Sequence, residues 1–161
     1  MLQPVIKTFP EKKLIGQHVR MSLSDNKTFK LWSGFMPRRK EINNAVSTDL
    51  FSLQVYDASL VFSEFNLQTT FEKWAAIEVP DFNAIPDRMD TLTVEEGLYA
   101  VFLYKGEASK FAVMFDYIFN EWLPSSEYEL DRRPHFEILG PKYKNEHPDS
   151  EEDICIPIKK K

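Results

Sequence analysis

Glu137 lies in the segment RPHFEIL, residues 133–139, where apolar residues flank a carboxylate on a run that reads as a β-strand. Alternation along a strand puts Phe136 and Ile138 on one face and His135, Glu137 and Leu139 on the other. With Phe136 and Ile138 turned to the main core, Glu137 faces either solvent or a cavity. A carboxylate in a cavity has a raised pKa and attracts a positive group, because neither partner is well hydrated there. Aromatic walls around such an acid suit a delocalised cation, through attraction to the ring faces and through ion pairing. Trp122 and Trp32 stand near the ends of two helical segments, Trp74 opens a strand, and Tyr99 and Tyr56 lie on or beside strands. These five are the candidate walls.

Other chemistries fit less well. His135-x-Glu137 matches the first part of a zinc deaminase signature, but the Pro-Cys-x-x-Cys partner is missing. His18, His135 and His147 are far apart and Cys155 is the single cysteine, so no metal site is indicated and no disulfide within the chain is possible. Cys155 lies between Ile154 and Ile156 and reads as a packed strand residue. No Gly-x-Ser-x-Gly elbow, Walker loop or dinucleotide motif is present, and no cofactor is expected. A hydrolytic role would rest on Glu137 as general base, with a tyrosine such as Tyr99, acting on a bound water.

The 161 residues suit one domain. The net charge of −5 and the short, separate clusters Arg38, Arg39, Lys40 and Arg132, Arg133 argue against a basic nucleic-acid surface. No window approaches eighteen consecutive apolar residues, and the first ten residues hold no signal-peptide core, so a cytoplasmic protein without membrane contact is expected.

The elements that must carry these residues form two similar sets. The first has strands around residues 5–6 and 14–15 with a turn at Pro10, then a helix capped by Asp25 or Asn26 that carries Phe29, Leu31, Trp32, Phe35 and Met36 and ends at Pro37. A strand at 50–56 and a short strand at 60–66 follow. The second has strands at 74–79, 92–94 and 98–104, a helix over 109–123 stopped by Pro124, and strands at 133–139 and 153–158. LWSGFMP (31–37) and IFNEWLP (118–124) agree in character, which reads as a duplication. Two such units, about 1–70 and 71–161, make a single α+β domain with a seam between the halves, and seams of this kind hold pockets.

GLYAVFLYKG (97–106), EWLPSSEYELDRRPHFEIL (121–139) and DICIPIK (153–159), in that order and spacing, resemble the GyrI-like small-molecule-binding domain. The same domain forms the effector-binding part of AraC-type and multidrug-responsive transcription regulators of bacteria. The resemblance is close in the second half and follows only element order in the first. It implies a duplicated β-hairpin–helix–strand–strand module, an antiparallel sheet with two main helices, and pseudo-twofold symmetry. It also implies a pocket between the modules for lipophilic, often cationic, compounds, with Glu137 at its floor and Trp122 as the helix-end tryptophan. The chain begins directly at the first module with no helix-turn-helix ahead of it, so a free-standing member or a fragment is expected. Some free-standing members are similar to hydrolases of strained cyclic compounds that use a pocket Glu. Others bind a protein target such as DNA gyrase.

Overall fold

The computed structural model describes residues 2–161. One antiparallel sheet is built from β1 (Val5–Phe9), β2 (Lys12–Met21), β3 (Leu50–Val55), β4 (Phe71–Val79), β5 (Asp90–Val94), β6 (Gly97–Lys105), β7 (Tyr128–Leu130), β8 (His135–Leu139) and β9 (Glu151–Lys160). Its order is β1-β6-β9-β8-β3-β4-β2-β5, with β7 added beside β9. That order is a palindrome of two units. β3 and β8 meet at the centre, β4 and β9 flank them, then β2 and β6, and each end strand belongs to the opposite half. Thus β1 and β2, only two residues apart in sequence, do not pair with each other. β1 pairs with β6 and β2 pairs with β5.

The pairing moves the boundary between the units. Phe71–Val79 bonds to β2 and β3 of the first half and takes the place that β9 has in the second. The division near residue 70 therefore shifts to the connection at 80–89.

Two helices cover one face of the sheet. α1 (Thr28–Phe35) packs Leu31 and Phe35 onto Ile15, Ala75, Ile77 and Val79 of β2 and β4. Asn26 accepts a hydrogen bond from the Thr28 backbone N–H at its start. Pro37 does not end the helical path. It sits at the start of a 3-10 turn, Met36–Glu41, where its missing N–H has no partner to lose. On the other half a helical stretch runs over residues 108–125. Its core is α2 (Phe111–Tyr117), which passes into a π-helical turn at Ile118–Trp122. Here Ile118 and Trp122 pack onto Phe102, Ile154 and Ile156 of β6 and β9. Leu31 with Ile118, and Phe35 with Trp122, thus fill equivalent places, as the LWSGFMP and IFNEWLP pattern implies.

The opposite face of the sheet curls around its own core. Phe9 from one end strand and Val94 from the other meet Leu14, Phe51, Leu53, Trp74, Tyr99, Phe136 and Cys155 there. Close approach at one crossing demands glycine: a Cβ on Gly16 would come within 2.0 Å of the Ala75 carbonyl oxygen. Residues 60–66, read from sequence as a strand, instead hold a 3-10 turn at Phe62–Glu64. Thr69 Oγ1 accepts from the Asn66 N–H and Asn66 Oδ1 from the Gln68 N–H, which suits a turn and not a ladder. No helix among the described residues is long and apolar enough to cross a membrane.

Candidate functional site

The central strands β3 and β8 lie between the two helices, and their helix-side face looks into the space between those helices, here called the cleft. The register pairs Ser52 with Glu137 and Gln54 with His135, and residues directly opposite share a face. Glu137 is 6% exposed. Gln54 Nε2 donates to its Oε1 at 3.1 Å, and the Lys73 ammonium of β4 stands 3.9 Å from the same oxygen. Glu137 Oε2 and His135 Nδ1 are both buried and have no hydrogen-bond partner. Buried polar atoms are nearly always satisfied, and these two orphans lie on one face of one strand.

Rings close the cleft. Tyr56 packs edge-on to His135 with centroids 4.9 Å apart, and Phe62 stacks on His135 at 5.6 Å. Phe119 from the π-helical turn meets Phe62 at 5.0 Å. The extra residue of a π-turn changes where side chains point, and here it directs Phe119 to the cleft while Trp122 stays on the sheet. The segment 57–70 that carries Phe62 is pinned at its flanks: Arg132 Nη1 donates to the Ala58 carbonyl, and Ser24 N–H to the Leu67 carbonyl. An open groove of about 610 Å³ runs beside Trp122, Tyr117, Ile6 and Tyr128, but Glu137 does not line it.

Burial sets the protonation of the site. It raises the Glu137 pKa, opposed by Lys73 and by the bond from Gln54. It lowers that of Lys73, opposed by the charges of Glu137 and Glu152. His135 is taken down to about 3 by burial and is neutral. Tyr56 is raised by burial and then by the Glu137 charge. Glu152 of β9, two residues from the Ile154 that pairs with Glu137, is pushed up to about 7 by burial and by Glu137, against Lys73.

These shifts predict a pH dependence. The folded chain holds the Glu152 proton more tightly than the unfolded chain, so that stabilisation is full below about pH 4.5 and is lost as pH rises to about 7. His135 works in the opposite sense. Its depressed pKa gives stability present above about pH 6.5 and lost as pH falls toward 3. Replacing Glu152 with Gln removes the first dependence alone. Thermal denaturation is expected to show Glu152→Gln gaining on the wild type at about pH 8, with the gain shrinking at about pH 5.

The six residues singled out from sequence separate by face. Glu137 and Tyr56 come together. Trp32 and Trp122 lie on the same face, one under each helix, Trp32 edge-on to Phe35 and Trp122 edge-on to Phe102. Trp74 and Tyr99 lie on the other face and are not walls of this cleft. Trp74 pairs with Leu53, which pairs with Phe136, so all three point into the curled core. Tyr99 packs against Phe9 and Phe136 and donates its hydroxyl to the Pro134 carbonyl at 2.9 Å, so a Glu137–Tyr99 catalytic pair is not formed. Lys73, Gln54, Glu152, Phe62 and Phe119 gather around Glu137 and His135 although sequence reasoning does not single them out. For Lys73 the signal is there to be read: a lysine inside the apolar run FEKWAAIEV is as anomalous as Glu137 in HFEIL.

A family model described as GyrI-like small molecule binding domain matches residues 2–159. The chain belongs to this family. The match extends over both halves, including the first, where the sequence resemblance is only one of element order. No curated protein matches the sequence. Among solved structures, the EcmrR C-terminal domain is similar with a TM-score of 0.72 at 14% identity, covering 100% of this chain and 99% of that one. SAV2435 bound to tetraphenylphosphonium gives 0.69 at 12%, covering 98% and 94%. A hydrolase of Listeria innocua gives 0.59 at 12%, covering 98% and 92%. At these identities the likeness is one of fold.

Proposed function

We propose that this GyrI-like domain takes up a flat or globular lipophilic cation in the cleft between its two helices, with Glu137 as the anionic anchor and Tyr56, Phe62 and Phe119 as its walls. One observation carries the reading: a buried carboxylate with an unpartnered oxygen shares its strand face with His135, two residues away, around which the rings of Tyr56 and Phe62 pack, at the junction of the two units. An acid already held out of water has little hydration left to lose, so a poorly hydrated organic cation gains more from it than a small hydrated one does. Trp32 and Trp122, on either side, are candidates for the outer walls, with Trp122 also facing the neighbouring groove. The rings now fill the cleft, so binding requires Phe62 and the 57–70 segment to shift. SAV2435, of the same fold, has been solved with tetraphenylphosphonium, which makes that ion a suitable probe.

Binding stabilises the folded chain in proportion to occupancy. Thermal-shift titration is expected to show protection by tetraphenylphosphonium and by rhodamine-type dyes, and none by neutral triphenylphosphine oxide at equal concentration. Equal protection by the neutral compound would remove the charge from the reading. No protection by any of them would remove the reading itself.

A further inference from the structure

Lys73 is the one charged group in the cleft that a cation-binding role does not call for. It is 8% exposed in the middle of β4, with Phe71 and Ala75 on its own face. A buried ammonium is unfavourable unless it is paired. Its direct neighbours across the ladder are Val19 of β2 and Gln54 of β3, and beyond Gln54 stands His135 of β8. Glu137 is two strands away and two residues along from His135. Strands are spaced by about 4.8 Å, so the lysine side chain must cross over β3 to come near Glu137 at all. Its Nζ stops 3.9 Å from Oε1, beyond hydrogen-bond reach, while Gln54 bonds that oxygen. The ammonium therefore stands over the central strands between the two helices, in front of the acid. A ligand's positive charge would need that position.

We infer that Lys73 is the charge-selectivity residue of the cleft, an internal cation that competes with a cationic ligand for Glu137. The inference rests on the proposed binding site. The titratable and charged groups facing Lys73 are Glu137 from β8, Glu152 from β9 and the neutral His135 beside them. An incoming monocation must displace the lysine or share Glu137 with it, and either lowers its affinity. An anion of the same shape is less disfavoured than Glu137 alone would make it. A merely structural counter-ion would alter stability when removed but not the preference between two ligands of opposite charge.

Tetraphenylphosphonium and tetraphenylborate have nearly the same shape and opposite charge, so the ratio of their affinities reads the field of the site directly. Calorimetric titration is run at about pH 8.5, because burial raises the Glu137 pKa and alkaline solution favours its ionised form. Lys73→Met is expected to shift the ratio toward the cation by about tenfold or more, while Lys73→Arg stays near the wild-type ratio. Lys73→Gln, which retains a polar head beside Gln54, serves if the methionine variant does not fold. A ratio within about twofold of the wild type in a folded Lys73→Met or Lys73→Gln protein overturns the inference. If Glu137→Gln moves the ratio and the lysine variants do not, the binding site stands and Lys73 has no selective role. If neither probe binds the wild type or any variant, both the site and the inference fall.

Discussion

Replacing Glu137 with Gln is expected to weaken tetraphenylphosphonium binding by about 1.5–3 kcal/mol, roughly ten- to a hundredfold in Kd, which is the scale of a charge-assisted hydrogen bond or ion pair in a desolvated place. The substitution keeps the shape of the side chain. The carbonyl oxygen of the new amide can still accept from Gln54 Nε2 at the position of Oε1, so the floor of the cleft need not rearrange. The charge goes, and an amide NH2 takes the place of the unpartnered Oε2. Lys73 is then left without its nearest partner and keeps the more distant Glu152, and burial favours its neutral form. The folded state can adapt by shedding one proton, so the loss of stability should be small beside the loss of cation affinity. Isothermal calorimetry on wild type and variant reads the change directly, and triphenylphosphine oxide serves as the neutral control. An unchanged Kd for the cation would take Glu137 out of the site, whatever became of the fold.

The part of this site that is legible in the sequence is the part set by local geometry. Alternation in RPHFEIL depends on one strand alone, and the separation of Glu137 from Phe136 follows from it. The partners of Glu137 depend on register between strands far apart in sequence: Gln54 and Lys73 arrive from β3 and β4 through pairings that no local pattern encodes. The strand read as beginning at Trp74 begins in fact at Phe71, and those three residues hold Lys73. Trp74 and Tyr99 mislead for a related reason. A large aromatic near a strand end suits a pocket wall and a core equally well until its cross-strand neighbours are known, and here these are Leu53 for Trp74 and Pro157 for Tyr99.

The strand exchange is hidden by an equally local signal. A two-residue connection at Pro10 and Glu11 reads as a hairpin turn, yet the sheet curls so far that its two end strands come close to each other. The same short link then joins β1, at one end of the ladder, to β2, the last strand but one at the other. The run 60–66 has strand-like composition, but its backbone bonds are spent within its own turns. What it contributes is Phe62, a ring laid on His135. The duplication is thus faithful in the placing of the helices and, β7 apart, in the strand order. It departs from symmetry at the centre, where β8 supplies an acid and an imidazole and β3 supplies a hydroxyl and an amide.

Strand β8 divides two roles, and the residue beside Glu137 should give the opposite result. Phe136 has no exposed surface and its ring meets Tyr99 at 5.1 Å, Phe9 at 5.7 Å and Phe51 at 5.8 Å. Those partners come from β1, β3 and β6, so the ring ties the centre of the sheet to one of its ends. Phe136→Ala removes a ring that close packing cannot replace by collapse, and it is expected to destabilise the chain by about 3–5 kcal/mol. For a domain of this size that corresponds to a fall in Tm of roughly 6–20 °C, measurable by calorimetry or by circular dichroism. In the fraction that stays folded, tetraphenylphosphonium affinity should change by less than about threefold, because the ring points away from the cleft. Glu137→Gln should show the reverse pattern, with affinity reduced and Tm nearly kept. If Phe136→Ala cost less than about 1 kcal/mol, the curled face would not be the core on which β8 rests. The cleft side of that strand would then have no rigid backing to hold an unpartnered carboxylate in place.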